Sequence, residues 1–449
     1  MNTSLLTRTL TVGGLALVLL VPVSMIRDLI AERQARRDAA VAGIALGWGA
    51  RQTLAGPWLA VPAERRWTEV IRETVDGVAR ERRIERREAR VLRLPADGID
   101  WSIRAATLER SRGIHRARLY NATVSARGSF TLPANFGVAS GTEHWQFGLP
   151  RLVLGVSDPR GIRVAGPLEI DGGKVEFAPG AGDPALAAGM HAPLAGLAGG
   201  APRAFAFGFT LELAGSEMLA LAPLARDTTV ALGADWPHPS FQGVFLPERH
   251  ALRDDGFDAT WRISRHAAQG AERLAACGAA GACPALQAQV LQVSFIEPVG
   301  VYQQLERASK YGFLFVGLSF AAVFLHELAR RLAIHPVQYG LVGLALAVFF
   351  LLLTALSEHL AFGLAYAIAA SACAGLVAAY LVRVLASRAA GLGFGAGLGL
   401  LYGALYLLLR AEDYALLGGA VLVFGLLAAA MVATRKLNRE PEQAPATGT

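Results

Sequence analysis

Two ionisable residues, Glu358 and His359, lie side by side between two long apolar runs in the stretch LLLTALSEHLAFGLAY. At a membrane boundary such a pair can relay protons, supply ligands to a metal ion, or simply mark the polar end of a helix. The chemistry open to the pair therefore depends on the depth at which the surrounding helices place it.

A second polar turn, RAEDYA, contains Arg410, Glu412 and Asp413. If this turn lies at the same depth as the glutamate–histidine pair, the charges can meet, and a buried carboxylate there would titrate unusually. A plain helix end is the stronger alternative, because Ser357 suits the N-cap of the following helix and an acidic residue suits its first turn. We name the two turns as a candidate polar interfacial site and favour the helix end as the interpretation of the glutamate–histidine pair.

The rest of the sequence contains no complete motif for catalysis or metal binding. The HELAR string beginning at His326 lacks the second histidine of a zinc-protease motif, because residue 330 is arginine. There is no G-x-S-x-G elbow, cysteine–histidine metal set or phosphate-binding loop. We therefore predict no cofactor and no enzymatic activity. A membrane-embedded hydrolase that uses Glu358 and His359 is the weakest alternative.

The composition places these residues in a membrane protein. Of the 449 residues, 53% are hydrophobic and only 18% are charged, which is too apolar for an ordinary soluble protein of this size. One apolar run lies near the N-terminus, the others lie in the last third of the chain, and a polar domain separates them. The arginines of that domain are mixed with nearly as many carboxylates, which argues against the one-sided basic face of a nucleic-acid-binding protein.

Six apolar runs can form membrane-spanning helices, at about residues 10–26, 311–325, 337–356, 360–382, 392–409 and 414–432. The first run continues into the helix-like IRDLIAERQARRD without a clear cleavage site, so we predict an uncleaved signal anchor rather than a signal peptide. With the N-terminus in the cytoplasm, the inside loops hold nearly all of the loop arginines and lysines, as the positive-inside rule requires. Both termini are then cytoplasmic, and the polar domain is periplasmic.

The polar domain has the pattern of a β-rich structure. Segments such as DWSIRAATLE alternate polar and apolar residues, and turn residues separate them at short intervals. The charged run RETVDGVARERRIERREAR alternates in sign, which is typical of a self-neutralising hairpin or short helix. We predict a bundle of six transmembrane helices together with a mostly-β periplasmic domain built as an antiparallel sandwich.

These patterns divide the chain into four parts. Residues 1–39 form the signal anchor and a juxtamembrane helix, and residues 40–305 form the periplasmic domain. We predict that residues 306–436 form a five-helix transmembrane domain and that residues 437–449 form a disordered cytoplasmic tail.

The spacing of small residues predicts two local contacts. A glycine recurs at every fourth position of the fifth span, which puts the glycines on one helix face and lets a neighbouring helix approach closely. These are Gly391, Gly395, Gly399 and Gly403. The loop CGAAGAC contains Cys277 and Cys283, and in an oxidising compartment we predict a disulfide between them rather than two free thiols.

The proline-rich segment ADWPHPSFQGVFLP is the most unusual part of the polar domain. Its prolines remove backbone donors and fix the local geometry, so the segment cannot be a central strand. We favour a structured loop that caps the β domain over a partner-binding surface. The residues of the alternative surface are Trp236, His238, Phe241 and Phe245.

Several strings together resemble the CreD family of inner membrane proteins, described as cell-envelope integrity proteins. The matching strings are VPVSMIRDLIAER at 21–33, GPWLAVP at 56–62, DPRGI at 158–162, DWPHPSFQGVFLP at 235–247, GFDATW at 256–261, ERASKYGFLFVGLSF at 306–320 and HPVQYGLVGLALAVFFLLLTALSEHLAF at 335–362. They run in family order from the first span to the fourth. The charged hairpin and the cysteine loop do not take part in the resemblance.

The resemblance implies an inner membrane protein of a Gram-negative bacterium with a periplasmic domain, associated with envelope stress, two-component regulation and colicin tolerance. We therefore expect a non-enzymatic protein that supports envelope integrity through its β domain. The expected partners are membrane lipids and an envelope component or periplasmic protein, and nucleic acid is not expected. The alternative is a lipid-handling or transport protein with a path between its transmembrane helices.

Overall fold

The chain forms two compact units in the computed structural model, which describes residues 3–75, 78–139, 141, 143–295, 301–330, 334–410, 417–421, 424–425, 428 and 431. One unit comprises Met1–Asp38 and Val299–Thr449, and we call it the helical unit. The other comprises Ala39–Pro298, and we call it the β unit.

The described helices are mostly long and apolar. They are α1 (Thr3–Trp48), α2 (Arg265–Ala268), α3 (Gly270–Ala275), α4 (Val301–Lys310), α5 (Gly312–Arg330), α6 (Pro336–Ser357), α7 (Phe362–Val384) and α8 (Arg388–Arg410). The sequence specifies the start of α6 directly, because His335 forms a capping box with Gln338 and Pro336 occupies the first turn. The predicted signal anchor is part of α1, which passes through Pro22 and continues without a break to Trp48.

The prediction of six membrane spans is wrong for the part of the chain that the structure describes. Four of its helices are long and apolar enough to cross a membrane: Gly13–Trp48, Pro336–Ser357, Phe362–Val384 and Arg388–Arg410. The predicted second span falls on α5, a shorter helix of 19 residues whose last turns carry His326 and Glu327. The predicted sixth span lies mostly outside the described residues.

Aromatic packing forms the core of the helical unit. Phe349 of α6 lies 4.3 Å from Tyr402 of α8 and 5.5 Å from Tyr366 of α7, measured between ring centroids. Offset and edge-on ring pairs of this kind contribute about 0.5–1.5 kcal/mol each beyond the burial of their surface. The three helices are therefore joined at one layer by side chains that are all buried.

The described residues of the β unit form eighteen strands. They are β1 (Gln52–Val75), β2 (Val78–Pro95), β3 (Gly98–Arg112), β4 (His115–Leu132), β5 (His144–Phe147), β6 (Arg151–Val156), β7 (Ile162–Ala165), β8 (Leu168–Ile170), β9 (Gly173–Val175), β10 (Ala178–Pro179), β11 (Gly189–Pro193), β12 (Arg203–Ser216), β13 (Met218–Ala222), β14 (Asp227–Ala234), β15 (Ser240–Gly243), β16 (Arg249–Arg253), β17 (Gly256–Ile263) and β18 (Leu291–Ser294).

These strands form two nine-stranded sheets. Sheet 1 has the order β10-β11-β6-β1-β13-β18-β15, with β2 and β5 also paired to β1. Sheet 2 has the order β16-β17-β14-β3-β4-β12-β8-β9, with β7 also paired to β12. Side chains from both sheets share one hydrophobic core, in which Tyr120 of sheet 2 lies 5.2 Å from Phe295.

The mostly-β domain is confirmed, but the prediction that its strands pair only in antiparallel fashion is wrong. Sheet 1 contains the parallel pair β1 and β13, and sheet 2 contains the parallel pair β3 and β14. Alternation and turn residues identify strands that are adjacent in the sequence, whereas these partners are more than a hundred residues apart. A sandwich arrangement of the two sheets stays a prediction.

The charged run folds as a hairpin of β1 and β2. Its two strands pair in one unbroken register from Trp58 opposite Pro95 to Val75 opposite Val78. Opposite charges meet across the strands, as the alternating signs predict: Arg72 pairs with Glu81 at 3.0 Å, and Arg86 pairs with Glu69 at 2.7 Å.

Candidate functional site

Glu358 lies at the end of a helix rather than at the start of one. It occupies the C-cap position of α6, and the N-cap of α7 is Ala361. The Ser357 hydroxyl donates to the Leu353 carbonyl at 2.6 Å, so the predicted Ser357 N-cap is wrong. The reason is that α6 continues through Ser357, which bonds back into its own helix. A carboxylate at this position opposes the helix dipole and needs other partners.

Two other helices supply those partners. The Tyr302 hydroxyl of α4 donates to Glu358 Oε1 at 3.3 Å. Arg33 of α1 places its Nη1 3.6 Å from the same oxygen, and the Glu358 side chain is only 13% exposed. This Arg33–Glu358–Tyr302 cluster therefore ties α1, α4 and α6 of the helical unit together.

The cluster changes the acidity of its tyrosine. Burial, followed by the negative charge of Glu358, raises the pKa of Tyr302 above its ordinary value. The phenol is therefore held as a neutral hydrogen-bond donor at neutral pH. This arrangement holds the Glu358 carboxylate in place.

The other predicted members of the interfacial site lie elsewhere. The His359 side chain is exposed, and Arg410 ends α8 with its guanidinium 5.8 Å from the Tyr406 ring centroid. Glu412 and Asp413 fall outside the described residues. The structure thus connects Glu358 to Arg33 and Tyr302, which the sequence interpretation missed.

The proline-rich segment contributes its aromatic rings to the β unit. Trp236 is 6% exposed, and its indole N–H donates to the His238 carbonyl at 2.8 Å. The Arg118 guanidinium covers the same ring at 4.3 Å. The His238 side chain itself is exposed. Trp236 therefore fastens the turn and has little surface left for a partner.

The two phenylalanines of this segment are half-buried. Phe241 contacts Phe257 and Trp261 edge-on, with ring centroids 5.7 and 5.9 Å apart. The Phe245 carbonyl accepts a hydrogen bond from the Trp261 indole at 3.1 Å. These contacts are those of a structured loop that covers the core.

Cys277 and Cys283 form a disulfide in the β unit. Next to it, Arg93 donates to the Cys277 carbonyl at 2.8 Å and pairs with Asp183 at 2.7 Å. Burial alone would raise the pKa of Asp183, but hydrogen bonds from Arg93, the Ala185 amide and the Trp58 indole outweigh it and hold the pKa below its ordinary value. The disulfide loop is thus attached to a buried ion pair.

Two of the four glycines on the predicted glycine face of α8 lie close to α7. A β-carbon on Gly391 would collide with the Val382 backbone of α7, and one on Gly395 would lie 2.6 Å from the Ala378 β-carbon. No described atom lies within 4 Å of a β-carbon built on Gly399 or Gly403. Close approach of α7 therefore requires glycine only in the first two turns of α8.

The described residues offer no set of three or more histidine, cysteine or acidic side chains that could hold a metal ion. Glu327 of the HELAR string is instead buried in the helical unit, where it accepts a hydrogen bond from the Tyr339 hydroxyl at 2.5 Å. Its environment is that of a packed polar contact between α5 and α6.

Comparisons with known proteins agree with the membrane helices. Two solved structures of an M1 zinc metallopeptidase from Deinococcus radiodurans, one with a bound substrate, align at TM-scores of 0.22 and 0.20 and 11% and 8% identity. Each alignment covers 48% of this chain and 53% of that one, and likeness at this level carries no argument. The Inner membrane protein CreD of Escherichia coli strain K12 is 32% identical over 355 residues, which are 78% of this chain and 74% of that protein. Residues 4–440 match the family described as Inner membrane protein CreD, and the chain therefore belongs to the CreD family.

Proposed function

We propose that this chain supports the integrity of the cell envelope without catalysis, by binding an envelope component with its β unit on the periplasmic side of the inner membrane. The observation that carries the proposal is the Cys277–Cys283 disulfide. Disulfides persist in oxidising compartments such as the bacterial periplasm and are rare in the cytosol. The bonded loop belongs to the β unit, which supports the proposal that this unit lies in the periplasm.

The charges of the loops support the same orientation independently. We propose that α5, whose 19 residues are long enough to span the hydrocarbon core, crosses the membrane as well. A periplasmic β unit then leaves the N-terminus in the cytoplasm, and the ends of α5 and α7 face inward. The end of α5 carries Arg330, which Arg331 follows in the sequence, the end of α7 carries Arg383, and α8 begins with Arg388. The positive-inside rule favours this arrangement over the reverse.

Binding is favoured over transport by the polar groups inside the helical unit. The Tyr402 hydroxyl donates to Cys373 Sγ at 3.2 Å, and Cys373 in turn contacts the Ala345 carbonyl at 3.2 Å. The Tyr366 hydroxyl donates to the Tyr402 carbonyl at 2.7 Å. These groups satisfy one another within aromatic packing, so a polar path through them would have to break that network.

The orientation can be tested by thiol labelling of intact cells with a membrane-impermeant reagent. Arg82 of the β1–β2 hairpin and Arg383 at the end of α7 are both exposed arginines and form a matched pair. We expect Arg82→Cys to be labelled in intact cells and Arg383→Cys only after permeabilisation. Labelling in the reverse order would place the β unit in the cytoplasm and overturn the proposal.

The envelope role can be tested in a strain of Escherichia coli that lacks its own CreD. We expect expression of the full chain to lower the uptake of a hydrophobic fluorescent probe and the sensitivity to detergent, relative to the empty vector. Equal uptake and equal sensitivity with and without the chain, at confirmed expression, would reject the function.

A further inference from the structure

An open cleft of about 600 Å³ lies on the β unit, on the face of sheet 2 that points away from the core. Its floor comes from three adjacent strands, in which Arg104 pairs with Thr123 and Thr123 pairs with Glu212. Neighbouring strands are about 4.8 Å apart, so this row is about 10 Å long. The cleft is therefore long enough for an extended chain of two or three small polar units.

The wall of the cleft is held in place by stacked cations. The guanidinium carbons of Arg110 and Arg163 lie 5.5 and 4.8 Å from the centroid of the Trp48 ring. Arg163 also donates to the Trp48 carbonyl at 2.7 Å. On another side, Asp235 accepts a hydrogen bond from the Thr107 amide at 2.6 Å. The wall is thus fixed before any ligand arrives, which lowers the entropy cost of binding.

The floor contains polar side chains that have no described hydrogen-bond partner and are available to a ligand. Among the described contacts, the Glu212 carboxylate, the Asn121 amide and the Thr123 hydroxyl make no side-chain hydrogen bond or ion pair, and all three side chains are exposed. A carboxylate and a carboxamide each present two polar atoms in one plane, which matches two neighbouring hydroxyl groups of a ligand. The next row of residues along these strands is also polar, since the hydroxyls of Ser125 and Thr210 lie 3.0 Å apart.

The charges and side-chain types of the residues that line the cleft indicate which class of ligand it binds. Two cations, Arg104 and Arg163, are balanced by two anions, Glu212 and Asp235, so the cleft does not favour a polyanion. The apolar part of its lining comes from the Trp48 ring, from alanines and from the buried Leu213, which make a shallow surface rather than the enclosed apolar pocket that a lipid chain needs. A neutral chain rich in hydroxyl groups fits both the charge balance and the floor.

We propose that this cleft binds a neutral glycan chain, an inference that rests on the proposed function because it names the envelope component. Glu212 and Asn121 bind the hydroxyl groups of the sugar, and Thr123 lies between them in the floor. The same chemistry is present in the glycan of the cell wall and in free oligosaccharides.

The test uses the purified full chain in detergent and two probes. Isolated cell-wall sacculi are sedimented with the protein, and soluble N-acetylglucosamine tetramer is titrated against the fluorescence of the tryptophans, one of which forms the cleft wall. We expect Glu212→Ala to weaken association about tenfold, the effect of losing one hydrogen bond to a charged group. Asn121→Ala should act in the same direction. The matched control is Glu85→Ala, an exposed carboxylate on sheet 1.

The outcomes separate the ligand sources and the two proposals. Sedimentation with sacculi identifies cell-wall glycan, whereas binding of the tetramer alone identifies a free oligosaccharide. No binding to either probe, or equal loss in Glu212→Ala and Glu85→Ala, would overturn the glycan site. If the chain still restores the envelope barrier in that case, the proposed function survives. Glycan binding that depends on Glu212, in a chain that fails to restore the barrier, would reject the proposed function alone.

Discussion

Asp183 provides the sharpest test of what holds the β unit together. Its side chain is fully buried and pairs with Arg93, whose side chain is only 2% exposed. It also accepts hydrogen bonds from the Trp58 indole at 3.0 Å and the Ala185 amide at 2.9 Å. Asp183→Ala would leave the guanidinium of Arg93 buried without its counter-ion, and two neutral donors without an acceptor.

The expected loss is large because one charge remains buried after the other is removed. Breaking a buried ion pair in this way costs about 3–5 kcal/mol. For a domain of this size that corresponds to a decrease of about 10 °C in Tm. The matched control is Glu69→Ala, which removes the carboxylate of an exposed pair with Arg86 and should cost about 0–1 kcal/mol.

Tryptophan fluorescence measures this effect in the full chain. All seven tryptophans of the sequence lie in the β unit, so their emission follows the unfolding of that unit alone. Thermal unfolding in detergent would then give one transition for each variant. If Asp183→Ala melts within about 2 °C of Glu69→Ala, the buried pair contributes no more than a surface pair, and the argument from burial is refuted.

Three further predictions follow from the described contacts. The pKa of Asp183 is lower in the folded state than in the unfolded state. The ionised carboxylate therefore stabilises the β unit fully above the unfolded-state pKa of about 4, and this stabilisation is lost as the pH falls below that value. The difference in Tm between the natural chain and Asp183→Ala should become smaller at that low pH. In the complemented strain, Glu358→Gln should weaken detergent resistance at unchanged expression, whereas His359→Ala should not. Equal resistance of the two variants would mean that the Arg33–Glu358–Tyr302 cluster is only a helix end. Gly391→Ala should destabilise the helical unit by about 1–3 kcal/mol, measured by far-UV circular dichroism, while Gly399→Ala should not; tolerance of both would contradict the close approach of α7.

Local sequence patterns predicted the positions of helices and strands better than they predicted which strands pair with each other. The start of α6 follows from His335 and Pro336, which act within one helical turn. The strands of the charged hairpin follow from alternation and alternating charge. The parallel pairing of β3 with β14 could not be predicted, because their register is set by core packing between distant segments and no turn joins them.

The same limit applies to the interfacial site. The sequence identified Glu358 as an unusual carboxylate, and the structure places it at a helix end with low exposure. Its partners Arg33 and Tyr302 belong to other helices, and no spacing rule connects them to it. The proline-rich segment differs, because the prolines alone predicted a structured loop, and the structure buries Trp236 within it.

The β1–β2 hairpin gives the β unit a part whose stiffness depends on the solution around it. Strand β5 pairs with β1 only as far as Arg66, and among the described strands the two partners beyond that point pair only with each other. The nine further residues of β1 correspond to about 30 Å of two-stranded ribbon. An isolated ribbon is marginally stable in water, and its exposed pairs, such as Arg72 with Glu81, are screened as salt rises. The ribbon should therefore stiffen in dilute medium and loosen in concentrated medium, so its order would follow the ionic strength of the solution around the β unit.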